Sequence, residues 1–142
     1  MKNKLMTLAA ILMVTASAFA QDSPLWLRKN SISPDGEQIA FTYKGNIYVV
    51  DSDGGQARQI TSNPAYDTDP LWSPDGRTII FASYREKSKD IYRIPASGGT
   101  PVRLTSHPGN ETPMTVLEDG NIIFSASIQQ DAQYGDFPGG SQ

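Results

Sequence analysis

The chain has 142 residues, with 12 Lys and Arg against 15 Asp and Glu, a net charge of −3 and no cysteine. Its basic residues are scattered singly apart from Arg28-Lys29 and the stretch from Arg85 to Lys89, which excludes the basic patch that nucleic acid requires. The missing cysteines exclude a disulfide framework, a thiol nucleophile and a lipid-bearing cysteine.

Residues 1–20 read as a secretory signal. Lys2 and Lys4 make a positive start, Leu5 to Val14 is an apolar run broken only by Thr7, and Ala18-Phe19-Ala20 supplies small residues at a cleavage site. The run is too short for a permanent membrane span. Cleavage after Ala20 leaves 122 residues beginning at Gln21; Lys2 and Lys4 leave with the signal and no acid does, so the net charge becomes −5. The expected product is periplasmic or secreted, off the membrane, and long enough for one hydrophobic core.

In chain order, residues 21–31 read as a lead-in carrying Leu25, Trp26 and Leu27 against the first repeat. A first unit is expected over residues 32–69. It opens with the turn Ser33-Pro34-Asp35-Gly36, in which Ser bonds back to the chain, Pro presets φ, Asp tolerates the third place and Gly closes. Gln38 to Tyr43 is a strand, Lys44-Gly45-Asn46 a tight reversal, Ile47 to Val50 its partner, and Asp51 to Gly55 a further turn. Arg58 to Thr61 follows as a short fourth segment.

A second unit, residues 70–111, repeats this order. Ser73-Pro74-Asp75-Gly76 lies 40 positions after the first turn, whereas Gly98-Gly99 lies 44 after Gly54-Gly55. Four residues have therefore entered within Tyr84 to Lys89, as a surface hairpin tip tolerates. The third unit, residues 112–142, keeps only Asp119-Gly120 of the turn and ends within the repeat.

Repeats of about 40 residues with four short strands each are the signature of β-propeller blades. The expected class is all-β, with four-stranded antiparallel blades, about two and a half of them present and the ring incomplete. A ring needs roughly four to eight blades, so this chain reads as the front end of a longer polypeptide.

Trp72-Ser73-Pro74-Asp75-Gly76, Ile80-Phe81, Asp90-Ile91-Tyr92, Gly98-Gly99 and Arg103-Leu104-Thr105 resemble the repeat shared by TolB-like proteins and the N-terminal propellers of tricorn-like serine peptidases. The first unit resembles it through Ile39-Ala40-Phe41, Asn46-Ile47-Tyr48, Gly54-Gly55 and Gln59-Ile60-Thr61. TolB carries an α/β domain ahead of its propeller, for which the twelve residues from Gln21 to Ile32 leave no room, so the resemblance favours a secreted tricorn-like peptidase. It implies a propeller that recognises or gates peptides, with the rest of its own propeller and a C-terminal peptidase domain as partners. The competing reading is a TolB-like module that binds envelope proteins.

No catalytic residue is expected in this chain, because the resemblance places the serine nucleophile C-terminal to the propeller. Neither Gly-x-Ser-x-Gly nor Ser-x-x-Lys occurs. His107, the single histidine, stands where the first unit has Asn63 and reads as a turn residue. Asp51-Ser52-Asp53-Gly54 has the alternating oxygens of a calcium loop but neither its third ligand nor its distant Glu, so no metal or cofactor is expected. Asp67 and Asp69, read as preceding the innermost strand of the second unit, are candidates to line a central channel.

Overall fold

The computed structural model describes residues 27–127, which form ten strands in three antiparallel sheets. The expected signal, its cleavage point, Trp26 and the residues after Ser127 lie outside the described residues. The first sheet holds β1 (Leu27–Ile32), β2 (Gln38–Tyr43), β3 (Asn46–Asp51) and β4 (Arg58–Gln59) in that order. The second repeats it with β5 (Asp67–Trp72), β6 (Thr78–Ser83), β7 (Asp90–Pro95) and β8 (Val102–Arg103). The third consists of β9 (Glu111–Val116) paired with β10 (Ile122–Ala126). Among the described residues the sheets follow one another as blades and do not close a ring.

Residues 27–31 of the segment read as a lead-in fall in β1, which pairs with β2 from Leu27↔Tyr43 to Ile32↔Ile39. Among the described residues β1 is the opening strand of the first sheet, and the opening strands of the second and third begin at Asp67 and Glu111. Each opening strand carries a bulge. Register shifts fall between Arg28 and Asn30, between Thr68 and Leu71, and opposite Ile123 and Phe124. A bulge bends its strand and breaks the alternation of apolar and polar residues that would mark it in the sequence.

The repeated turns are built from local bonds. In each, the Gly amide donates to the Ser carbonyl at 2.9 Å, and the Ser hydroxyl donates to the Asp Oδ1, at 2.5 Å for Ser33–Asp35 and 2.6 Å for Ser73–Asp75. The Ser Oγ also accepts from the next strand, from the Gln38 amide at 2.9 Å and the Thr78 amide at 3.0 Å. The third turn keeps part of this set, with Gly120 N donating to Leu117 O at 2.8 Å and Asn121 N to Asp119 Oδ1 at 3.0 Å. The inner hairpin of the first blade closes through Lys44 and Gly45, both at positive φ (48° and 79°), as a two-residue hairpin turn demands.

The core lies between blades. Ala40, Ile47, Val49 and Ile60 of the first blade form one buried cluster with Trp72, Ile79, Phe81, Tyr92 and Ile94 of the second. In β2 and β3 only alternate residues are buried, because one face meets a neighbouring blade. From Ile79 to Ser83 every residue of β6 is buried, because blades lie on both sides. The Trp72 indole fixes the seam by donating from Nε1 to the Ser31 carbonyl at 3.0 Å.

Candidate functional site

Because β1, β5 and β9 are the opening strands of successive blades and pack against one another, they form the inner wall of the stack. Asp67 and Asp69 lie within β5 and not before it. Asp67 opens that strand and is 0% exposed, held by Arg85 Nη2 at 2.9 Å. Asp69 sits on the bulge at φ 54°, with Lys29 Nζ 3.4 Å from its Oδ1 and Lys89 Nζ 3.9 Å from its Oδ2. Lys29 is itself at φ 48°, so an ion pair joins the bulges of neighbouring opening strands. The inner wall therefore presents two cations around one partly exposed carboxylate, while the second carboxylate is enclosed.

Arg85 comes from the four-residue insertion. Of that loop, expected to be a solvated hairpin tip, Tyr84, Glu86 and Lys87 are exposed, whereas the Arg85 and Lys89 side chains are only 15% and 14% exposed and Ser88 is buried. The guanidinium lies 5.5 Å from the Phe81 ring centre and 5.2 Å from that of Tyr92, two rings that stack on each other at 5.8 Å. Burial pushes the Tyr92 phenol above its ordinary value. The insertion thus folds back to neutralise Asp67 over an aromatic platform. The first blade has Leu27 where Asp67 stands and a two-residue turn where the insertion stands, so it needs no such pair.

Two buried acids escaped the sequence reading. Asp90 opens β7, fully enclosed, and its Oδ2 takes Arg103 Nη2 at 2.8 Å. The first blade has the neutral pair Asn46 and Gln59 at these places, and that 44-residue correspondence was the available signal. Glu111 occupies in β9 the place of Asp67 in β5 and is buried; its backbone amide donates to Lys89 O at 2.7 Å. The first and second blades each end on a threonine that receives a strand amide: Ile47 N donates to Thr61 Oγ1 and Ile91 N to Thr105 Oγ1, both at 2.9 Å.

His107 Nδ1 accepts the Gly109 amide at 3.0 Å, and Asn63 Oδ1 accepts the Ala65 amide at 2.8 Å in the corresponding loop. The histidine thus does the work of its asparagine counterpart. Asp51 Oδ1 receives the Gln38 side-chain amide at 3.3 Å, and Gly54 N donates to Asp51 O at 2.9 Å, bonds that close a hairpin turn.

The turn carboxylates respond to acid. The Ser33 hydroxyl, followed by the Glu37 amide, holds Asp35 below the usual carboxylate range; Ser73 and then the Arg77 amide do the same to Asp75. Both groups are fully exposed, so the effect is modest. A folded-state value below the unfolded one gives stability that is present above the unfolded value and is lost as pH falls through the folded one. Urea midpoints are expected to fall on acidification below about pH 4, and Ser33→Ala with Ser73→Ala to flatten that fall. An identical acid limb in the double variant would contradict the bonding.

The family described as the tricorn protease N-terminal beta propeller domain matches residues 24–137. The chain belongs to that family. Within it, this tricorn-type propeller is 40% identical over 53 residues to the "Uncharacterized peptidase YuxL" of Bacillus subtilis strain 168, covering 34% of this chain and 8% of that protein. Over 57 residues it is 44% identical to the "Tol-Pal system protein TolB" of Anaeromyxobacter dehalogenans strain 2CP-C, 34% of this chain and 13% of that one. Among solved structures, a putative TolB from Agrobacterium tumefaciens superimposes with a TM-score of 0.67 at 27% identity, over 80% of this chain and 42% of that one. The tricorn protease superimposes with a TM-score of 0.62 at 26% identity, over 72% of this chain and 11% of the protease. The tricorn-type propeller described here spans less than half the length of each of these proteins. No helix among its described residues is long and apolar enough to cross a membrane.

Proposed function

We propose that this propeller serves a secreted tricorn-like serine peptidase, recognising or gating peptides on their way to catalytic groups elsewhere in the same polypeptide. Family membership over residues 24–137 carries the reading, and a named peptidase among the relatives supports it. Asp69, 13% exposed between Lys29 and Lys89, is the side chain we assign to the channel wall; Asp67 is enclosed and serves the blade. His107, the single histidine of the sequence, has its Nδ1 engaged in a loop, as a turn residue would. Removal of residues 1–20 delivers the protein to the periplasm or beyond, which N-terminal sequencing of the exported product checks by reading from Gln21.

The product of the whole reading frame is expected to hydrolyse peptides and to be silenced by a serine-reactive phosphonate. The chain from Gln21 to Gln142 is expected to give no turnover. An inert whole product, or turnover by the short chain, would sink this reading. The second reading, a TolB-like module that binds envelope proteins, rests on the 44% identity to a Tol-Pal system protein and the 0.67 TM-score to a putative TolB. Retention of a peptidoglycan-associated lipoprotein by an inert whole product would favour it.

A further inference from the structure

The blades are charged oppositely at their two ends. Because each strand reverses its predecessor, the Ser-Pro-Asp-Gly turns and residues 51–55 lie at one end, and the Lys44-Gly45 hairpin, the insertion at residues 84–89 and the starts of β1, β5 and β9 lie at the other. Every exposed carboxylate among the described residues except that of Glu86 is at the turn end, from Asp35 and Glu37 in the first blade to Glu118 and Asp119 in the third, with Arg58, Arg77 and Arg93 as the cations there. The hairpin end displays Arg28, Lys29, Lys44 and Lys87, while its own Asp67, Asp90 and Glu111 are buried. A chain of net negative charge thus keeps one basic end.

At that end Arg28, Thr42, Lys44, Gly45 and Tyr66 line a pocket of about 580 Å³ where the first blade meets the second, and no carboxylate lines it. Arg28 and Lys44 form no ion pair among the described residues, whereas Lys29 is engaged with Asp69. The Lys44 ammonium lies 5.2 Å from the Tyr43 ring centre. Thr42 is buried, and its Oγ1 has no hydrogen-bond partner among the described residues, a cost that an incoming acceptor oxygen would recover. Gly45 lets the Tyr66 ring close in, since a Cβ there would stand 3.1 Å from its Cδ2. Tyr84 N donates to Tyr66 O at 3.2 Å, so two exposed tyrosines stand side by side at this end.

We propose that the hairpin end docks an acidic peptide segment, one of whose side-chain carboxylates enters this pocket to meet Arg28, Lys44 and the Thr42 hydroxyl while its apolar parts lie on Tyr66 and Tyr84. The inference rests on the peptide-recognition reading above and narrows it to a substrate class. Charge complementarity selects the occupant: the hairpin end attracts acidic segments and the turn end repels them, so the field of the blades orients their approach. Exposed tyrosines beside arginine are the side chains that peptide and protein interfaces favour.

Fluorescence anisotropy on the product of the whole reading frame, treated with a serine-reactive phosphonate so that no probe is consumed, reads binding whether or not the protein is a peptidase. The probe is a labelled peptide rich in Asp and Glu, amidated at its C-terminus, and it is compared with its Asn and Gln isostere. The acidic peptide is expected to bind about tenfold more tightly at low salt, as two partly exposed ion pairs supply, and to lose most of that advantage at high salt. Arg28→Gln with Lys44→Gln is expected to abolish the preference, Arg28→Glu with Lys44→Glu to turn it toward a Lys-rich peptide, and Arg77→Gln at the turn end to leave it intact. Equal binding of the two peptides, a preference that survives the loss of both cations, or its loss in Arg77→Gln would each overturn the proposal. Equal binding by a product that hydrolyses neutral peptides would overturn it while the peptidase reading stands, and a preference for the acidic peptide in a product that hydrolyses nothing would support it while that reading falls.

Discussion

Replacing Phe81 by alanine is expected to cost about 3–5 kcal/mol of unfolding free energy, the range for truncating a buried aromatic whose surroundings cannot collapse. Phe81 is 0% exposed, stacked on Tyr92 and enclosed by Ala40, Ile47 and Val49 of the preceding blade. Phe41→Ala removes the same ring from the corresponding place in the first blade, where the face is half open, and is expected to cost about 1 kcal/mol in the monomer. Urea denaturation of both variants measures the contrast. Equal losses would mean that the seam between the blades does not form as described.

The second large effect concerns the charge enclosed beneath the insertion. Arg85→Met leaves the Asp67 carboxylate buried without its cation, and removing one partner of a buried pair costs about 3–5 kcal/mol. Asp67→Leu combined with Arg85→Met removes both charges and is expected to recover most of that loss, because the pair contributes less net stability than an orphaned charge costs. Thermal melts of the two single variants and the double variant form the cycle. A double variant as unstable as the sum of the singles would show that Asp67 and Arg85 act independently.

These contrasts separate what the sequence displays from what it conceals. The Ser-Pro-Asp-Gly turns were legible because every bond that defines them joins residues within five positions, from Ser33 to Gln38 and from Ser73 to Thr78. Strands β2, β3, β6 and β7 were legible through their β-branched and aromatic residues, and the repeat spacing fixed their order.

The opening strands were concealed for a physical reason. Leu27-Arg28-Lys29-Asn30-Ser31-Ile32 has the bulge at Lys29 in its middle, so no period of two survives, and Asp67-Thr68-Asp69-Pro70 is polar because it faces the inner wall. Both stretches read as irregular approach to a strand rather than as the strand itself.

The ion pairs were concealed because their partners are distant. Arg85 is 18 positions from Asp67 and belongs to an insertion whose charges suggest solvent; only the fold brings it over the Phe81 and Tyr92 rings. Asp69 and Lys29 are brought together by neighbouring blades, and nothing local to either residue marks the pair. Asp67 and Asp69 were visible in the sequence as neighbouring carboxylates, while their place within β5 and which of the two is enclosed required the packing.

The central structural claim is that the second blade is the interior of a stack whose seams repeat, and amide hydrogen exchange along the chain measures this directly. Amides of Ile79–Ala82 and of Ile91, Tyr92 and Ile94, all buried, are expected to exchange slowest, those of β2 and β3 faster, and those of β10 fastest among the longer strands. Exchange in β6 and β7 as fast as in β10, or equal protection across all three sheets, would contradict it.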